Sequence, residues 1–300
     1  MPGPGEHSKN EGLPLIIGLL AINVFWGASF VANAIALQYI GPIEIASIRF
    51  FIAAPLLLIV TYLWKGKETF KFDKRDIPTF IILALTGVTF QYAIQVSAQE
   101  YTSATSASLL INTSVFFIMI LGAVFLREKM TWYRIMGAVI GFIGVALLVT
   151  KGSLSLTMND NSIGDLMIIA CAFLWSVYTI YGKRIATKYH PIVILNYIFI
   201  IGAVGMLPFY FLTPHMPIQD VPLTAIAAIL FLVVFCSIIA YLIYNIALEK
   251  MDTSKVAVYI YFVPLSTIIL AALILHETLT MASAAGGIMV LVGMYLAEKH

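Results

Sequence analysis

The chain has 300 residues, of which 61% are hydrophobic and 11% charged, against about half and about a quarter in soluble domains. With a mean hydropathy of +0.98 and about 20 apolar residues needed per spanning helix, this is the composition of a polytopic helical membrane protein with short loops. A formal net charge of +2 gives no basic field for nucleic acid, and no G-x-x-x-x-G-K-[ST] stretch offers a phosphate loop.

Taken in chain order, residues 1–12 combine Pro, Gly and charge with nothing to bury, and read as a disordered cytoplasmic tail. The first apolar run, 13–37, is too long for a signal-peptide core and lacks a basic lead, so it is expected to be a span. Apolar runs and their breakers then place further helices at 43–64, 77–99, 102–126, 132–150, 163–183, 191–213, 222–248, 254–275 and 281–297. The fold class is therefore all-α integral membrane, with ten transmembrane helices. Cys171 and Cys236 both fall inside apolar runs, as buried small hydrophobes rather than a disulfide. Of the 17 Lys and Arg, 15 fall in alternate loops and tails, Lys151 falls in the other set, and Arg49 lies inside the second helix. The positive-inside bias puts both termini in the cytoplasm and the chain in the cell membrane, as a multi-pass protein.

The sequence also repeats. At an offset of 149 residues Trp26 meets Trp175, Pro42 meets Pro191, Tyr92 meets Tyr241, Glu128 meets Glu277, Thr131 meets Thr280, Gly137 meets Gly286 and Gly144 meets Gly293, without a gap. Residues 13–150 and 163–298 thus form two five-helix repeats. An odd helix number inverts the second, which is the ground plan of many secondary transporters, with a solute site near midplane where the repeats meet.

The chain resembles the drug/metabolite transporter superfamily and, within it, the ten-helix EamA-type carriers. The residues that carry the resemblance are A-I-N-V-F-W-G-A-S-F at 21–30, L-R-E-K-M-T at 126–131 and A-C-A-F-L-W-S at 170–176. A-L-E-K-M-D-T-S at 247–254, V-P-L-S-T at 263–267, L-H-E-T-L-T at 275–280 and G-G-I-M-V-L-V-G at 286–293 complete them. The resemblance spans residues 13–298. It implies a basket-like bundle of two inverted halves that exports amino acids or other small metabolites, with the fifth and tenth helices away from the central cavity. One departure is Val115, where the family often has a proline matching Pro264; the fourth helix is expected to bend differently from the ninth.

Polar side chains inside a span face the bundle interior or a wet cavity, because lipid cannot satisfy them. Gln91, Tyr92, Gln95 and Gln99 stripe one side of the third helix, and Thr105, Ser108 and Asn112 one face of the fourth. Asn23, Trp26 and Asn33 share one side of the first helix. Trp175 and Tyr178 on the sixth helix, Tyr241, Tyr244 and Asn245 on the eighth, and Tyr261 below Pro264 complete the candidate solute-binding set. Aromatic walls with a few amides and hydroxyls suit a small amphipathic solute. Arg49 either pairs with Glu44 or snorkels outward, or else holds a substrate carboxylate. Glu128 and Glu277 read as caps on the first turn of the helix that follows each, and Gly137, Gly141, Gly144, Gly286 and Gly293 as sites of close helix approach.

No Asp or Glu lies near the middle of a span, which weighs against the membrane-embedded carboxylate that proton-driven drug export uses. The five histidines fall in separate loops or tails, so neither a catalytic constellation nor a metal site forms. The expected function is secondary transport of a small-molecule solute, amino acids foremost, by a chain that works as a monomer or a homodimer and needs no cofactor. A multidrug or lipophilic-cation exporter is the alternative, and a membrane-embedded lipid-modifying enzyme a more distant one.

Overall fold

The structure, a computed structural model, describes residues 6–66, 72–150, 162–214, 221–274 and 281–299. The described residues form helices and connecting segments: α1 (Glu6–Ala36), α2 (Pro42–Lys65), α3 (Lys74–Ala98), α4 (104–126), α5 (Trp132–Thr150), α6 (Ser162–Ala186), α7 (Pro191–Leu212), α8 (Leu223–Lys250), α9 (Thr253–Ile274) and α10 (Met281–Lys299). Eight of these segments are long and apolar enough to cross a membrane, while α5 and α10 contribute the shorter apolar stretches Trp132–Leu147 and Ala285–Ala297. Large apolar side chains such as Leu63, Trp64, Phe211, Leu212 and Leu223 stand exposed on the outside of the bundle, a surface that only lipid satisfies.

The helix starts follow local chemistry. Pro42 and Pro191 open α2 and α7 at their first turns, where a missing N–H costs nothing, and the Oε2 of Glu44 accepts from the Gly41 N–H at 2.9 Å. Residues 6–12 differ from the expected tail: α1 runs back through them. The helix does so through Pro14 and Gly12, which helix propensity disfavours.

Packing is organised by the 149-residue offset. Helix α1 packs on α8 and α9, and correspondingly α6 packs on α3 and α4. Helices α2 and α7 face each other, as do α5 and α10. The α5–α10 seam shows the relation in detail. A Cβ added to Gly137 would lie 2.6 Å from the Gly293 carbonyl oxygen, and one added to Gly144 would lie 2.8 Å from that of Gly286. Exchanging each residue for its counterpart maps the first contact onto the second, so the seam is antiparallel and self-matching. Four glycines let the two backbones touch where any side chain would hold them apart.

The halves also share their irregularities. Helix α3 widens to a π-helical turn at Leu85–Thr89 and α8 at Leu232–Ile239. Helix α4 tightens to a 3₁₀ turn at Ile111–Thr113 and α9 at Tyr259–Tyr261. The two helices thus tighten at nearly corresponding positions although Val115 stands where the second half has Pro264, and α4 widens again to a π turn at Gly122–Leu126 where the described part of α9 stays α-helical. The Thr113 hydroxyl donates to the Leu110 carbonyl at 2.7 Å and the Asn112 amide to the Ser108 carbonyl at 2.6 Å. Such side-chain competition for backbone acceptors distorts a helix without proline.

Candidate transport site

The two π-helical turns set up the centre of the molecule. A π turn displaces backbone carbonyls from the regular ladder, and Gly87 and Cys236, 149 residues apart, are the two carbonyls concerned. The Tyr241 hydroxyl donates to that of Gly87, and the Trp26 indole donates to that of Cys236 at 3.1 Å. Around them, counterpart aromatics meet each other. Trp26 and Trp175 lie edge to face with centroids 5.3 Å apart, Phe50 and Phe199 likewise at 5.3 Å, and the Tyr92 and Tyr241 hydroxyls are 3.1 Å apart. Three pairs of corresponding aromatics thus stack where the halves join.

A cavity opens beside this column, walled by Trp26, Phe30, Tyr92, Trp175, Ile111, Ile260 and Val263, with polar edges from Ser29, Gln91, Gln95 and Ser114. Its room for water centres is about 50 Å³, enough for about four waters at about 10–15 Å³ each and too little for a solute without movement of the walls. The Gln91 amide donates to the Gln95 carbonyl oxygen at 3.2 Å, while the Gln91 Oε1 and the Ser114 Oγ are buried without a protein partner. Unpaired polar atoms on the wall of an aromatic cavity are what a polar ligand group uses.

Of the residues expected at the site, Trp26, Gln91, Tyr92, Gln95 and Trp175 line this cavity. A second layer backs it. Tyr178 stacks on Trp175 at 4.9 Å, accepts from the Asn245 amide at 2.7 Å and meets Tyr241 of the central column, while Tyr244 pairs with Thr179 at 2.8 Å and packs on Trp26 and Trp175. Asn23 and Asn112 are buried away from the cavity lining, each amide turned back onto the carbonyl four residues earlier, while Ser108 supplies the carbonyl that Asn112 takes. Asn33 is buried with neither side-chain polar atom partnered. Tyr261 departs furthest from expectation: its hydroxyl donates to the Ala138 carbonyl at 2.9 Å and its ring lies against Gly141, which makes it a packing residue of the α5 seam. Ser29, Phe30, Ile111, Ser114, Ile260 and Val263 line the cavity unannounced. Of these Ser29 and Ser114 had a readable signal, a hydroxyl inside an apolar run. The side chains of Thr105 and Glu277 lie outside the described residues.

Arg49 neither pairs with Glu44 nor snorkels. It is 1% exposed, its Nε donates to the Ser237 hydroxyl at 2.6 Å, its Nη2 to the Tyr92 hydroxyl at 3.3 Å, and its guanidinium lies over the Tyr92 ring at 4.1 Å. The polar face inside the π turn of α8 and the aromatic column draw it inward.

The lysine-rich loops are bound to one another at one end of the bundle. Both oxygens of Glu128 cap α9: Oε1 accepts from the Thr253 N–H and hydroxyl, each at 2.7 Å, and Oε2 from the Ser254 N–H at 3.1 Å and hydroxyl at 2.6 Å. Glu128 therefore caps, but it caps a helix of the other half and not the one that follows it. The reason is the left-handed turn at Arg127, φ 56°, which sends the chain across the bundle end. Arg134 pairs with Asp252 at 2.8 Å and Lys183 donates to the Met251 carbonyl at 2.8 Å. Further round, Lys188 pairs with Asp76 at 2.9 Å, a hydrogen bond that raises the Lys188 ammonium above its usual pKa. At the opposite end Thr102 donates to Asp165 at 2.9 Å.

A bundle of long apolar helices, halved by an internal repeat around a small aromatic and amide-edged cavity, is the build of a membrane transporter. The chain belongs to the EamA-like transporter family, whose pattern it matches twice, over residues 13–150 and 162–298. It is 37% identical over 286 residues to an uncharacterized transporter of Archaeoglobus fulgidus, covering 94% of this chain and 97% of that one. It is 26% identical to a protein of Salmonella typhimurium named as a probable amino-acid metabolite efflux pump, covering 96% and 95%. A solved crystal structure shares the fold with a TM-score of 0.77 at 20% identity, over 94% of this chain and 95% of that one.

Proposed function

We propose that this multi-pass membrane transporter is a secondary carrier that exports small metabolites, amino acids foremost, from the cytoplasm across the cell membrane. All ten helices span, the termini are cytoplasmic, and the halves rock in alternation about the Trp26–Trp175 and Tyr92–Tyr241 column. The observation that carries the reading is the meeting of corresponding aromatics beside a small amide-edged cavity. A site built on a two-fold relation can open toward either end with near-equivalent contacts. The antiparallel α5–α10 seam and the grouping of lysine-rich loops at one end support the inverted arrangement, and the name of the Salmonella relative supports amino-acid metabolites as cargo.

The test is an untargeted metabolite profile of the medium from cells expressing the wild type or the Tyr92→Ala/Tyr241→Ala variant. Amino acids accumulating outside with the wild type alone are expected. An unchanged profile from protein confirmed in the membrane overturns export of such metabolites. A reporter fused after His300 is expected to report the cytoplasm.

A further inference from the structure

Arg49 is held in a way the scaffold does not require. It sits at the centre of the bundle, whereas the other buried charged groups among the described residues, Glu44 and Arg134, lie at helix ends. The described residues bring it no carboxylate. Its partners are a serine, a tyrosine hydroxyl and the faces of Tyr92 and Phe50, and its Nη1 has none. A cation withdrawn from water at this depth without a counter-ion is costly, and ring faces offset only part of that cost. Its counterpart in the second half is Ile198, so the same packing position accepts an aliphatic side chain. The charge is there for something other than the fold.

Its position says what. The Tyr92 ring has the guanidinium on it at 4.1 Å and is itself a wall of the cavity. One aromatic leaf, held by the Tyr241 hydroxyl and by Arg49 itself, separates the unpaired Nη1 from the space where the solute enters. Gln91 lines the same space, and its Oε1 is a buried acceptor without a partner, which an ammonium group satisfies, and the Trp26–Trp175 pair is left for an apolar body.

Resting on the carrier reading, we infer that the solute carries a carboxylate that Arg49 receives once Tyr92 swings aside, and that the substrates are zwitterionic, α-amino-acid-like molecules rather than lipophilic cations. The carboxylate supplies the missing counter-ion, so binding and displacement of Tyr92 are coupled. An Arg–carboxylate pair is directional and charge-assisted, which makes the carboxylate the determinant of selectivity.

The experiment uses the purified full chain, in detergent for thermal unfolding and in proteoliposomes for flux. The probes are L-phenylalanine and L-leucine, their methyl esters, phenethylamine and tetraphenylphosphonium. The amino acids are expected to stabilise and cross, the esters and amine to do neither. Arg49→Gln is expected to weaken the amino-acid response at least about tenfold, Arg49→Lys to retain part of it, and Arg49→Gln without ligand to unfold at no lower temperature than the wild type. Esters or phosphonium acting as well as the acids, unchanged in Arg49→Gln, overturn this assignment and leave the carrier standing. Amino acids that stabilise through Arg49 but never cross leave the assignment standing and overturn the carrier. No stabilisation by either amino acid overturns the assignment.

Discussion

The two halves of the chain agree where a bundle must bend and differ where charge is placed. Both carry a π turn in their third helix, a 3₁₀ turn in their fourth and a contribution to every aromatic pair at the junction. They part at charged positions, two of which stand out. Arg49 answers to Ile198, and the Arg134–Asp252 ion pair answers to Ser283 and Ser103. The difference teaches that the repeat sets the architecture, with matching turns and rings in both halves, while charge is placed in each half separately.

Five variants break or sharpen that comparison. The largest effect is expected from Tyr92→Ala with Tyr241→Ala, which removes one aromatic pair, opens a cavity and costs several kcal/mol by the usual scale of about 3–5 kcal/mol per buried aromatic; solute flux and folded yield measure it, and normal flux refutes the central column. Next, Gly137→Ala and Gly144→Ala each force a methyl into a carbonyl at 2.6 and 2.8 Å and should destabilise by about 1–3 kcal/mol, equally if the seam is two-fold; unequal losses in thermal unfolding count against that.

Glu128→Gln keeps the shape of the α9 cap but removes the charge that four donors share. It should shift the resting population by about 1–2 kcal/mol toward opening at the lysine-rich end. Maleimide labelling of a single cysteine at position 29, in a background lacking Cys171 and Cys236, reads it, and unaltered labelling would show the cap to be static. The smallest effect is expected from Arg134→Ala. Its partner Asp252 is 49% exposed, and pairs so open to water contribute about 1 kcal/mol or less. Its labelling change should run in the same direction as that of Glu128→Gln and be smaller.

How far the sequence foretold this depends on which residues are asked about. The repeat was legible because Trp, Tyr, Pro and Gly are few and their offset is constant, and Trp26, Trp175, Tyr92, Gln91 and Gln95 reached the cavity as their spacing suggests. Asn23 and Asn112 did not, because an amide can bond the carbonyl four residues earlier in its own helix and be buried without any cavity. Tyr261 shares the periodicity of a lining residue and faces a glycine seam instead. Ile111, Ile260 and Val263 could not be found at all, since in an apolar bundle a wall and a core carry the same side chains. Arg49 was legible as an anomaly. What it touches was not, because that depends on a π turn in a helix nearly two hundred residues away in sequence.

The α5–α10 seam has a consequence for the history and engineering of the chain. Gly137 touches Gly293 and Gly144 touches Gly286; carried back by the offset, each contact reads as Gly137 against Gly144. The glycine contacts of the seam are therefore all written within residues 132–150. Two copies of the first half alone, inserted head to tail in one bilayer, would present each other with the same glycines in the same register. Covalent linkage of the halves fixes which copy faces which way. It also frees each copy to vary alone, and the single arginine at position 49 is the kind of change that only such freedom permits.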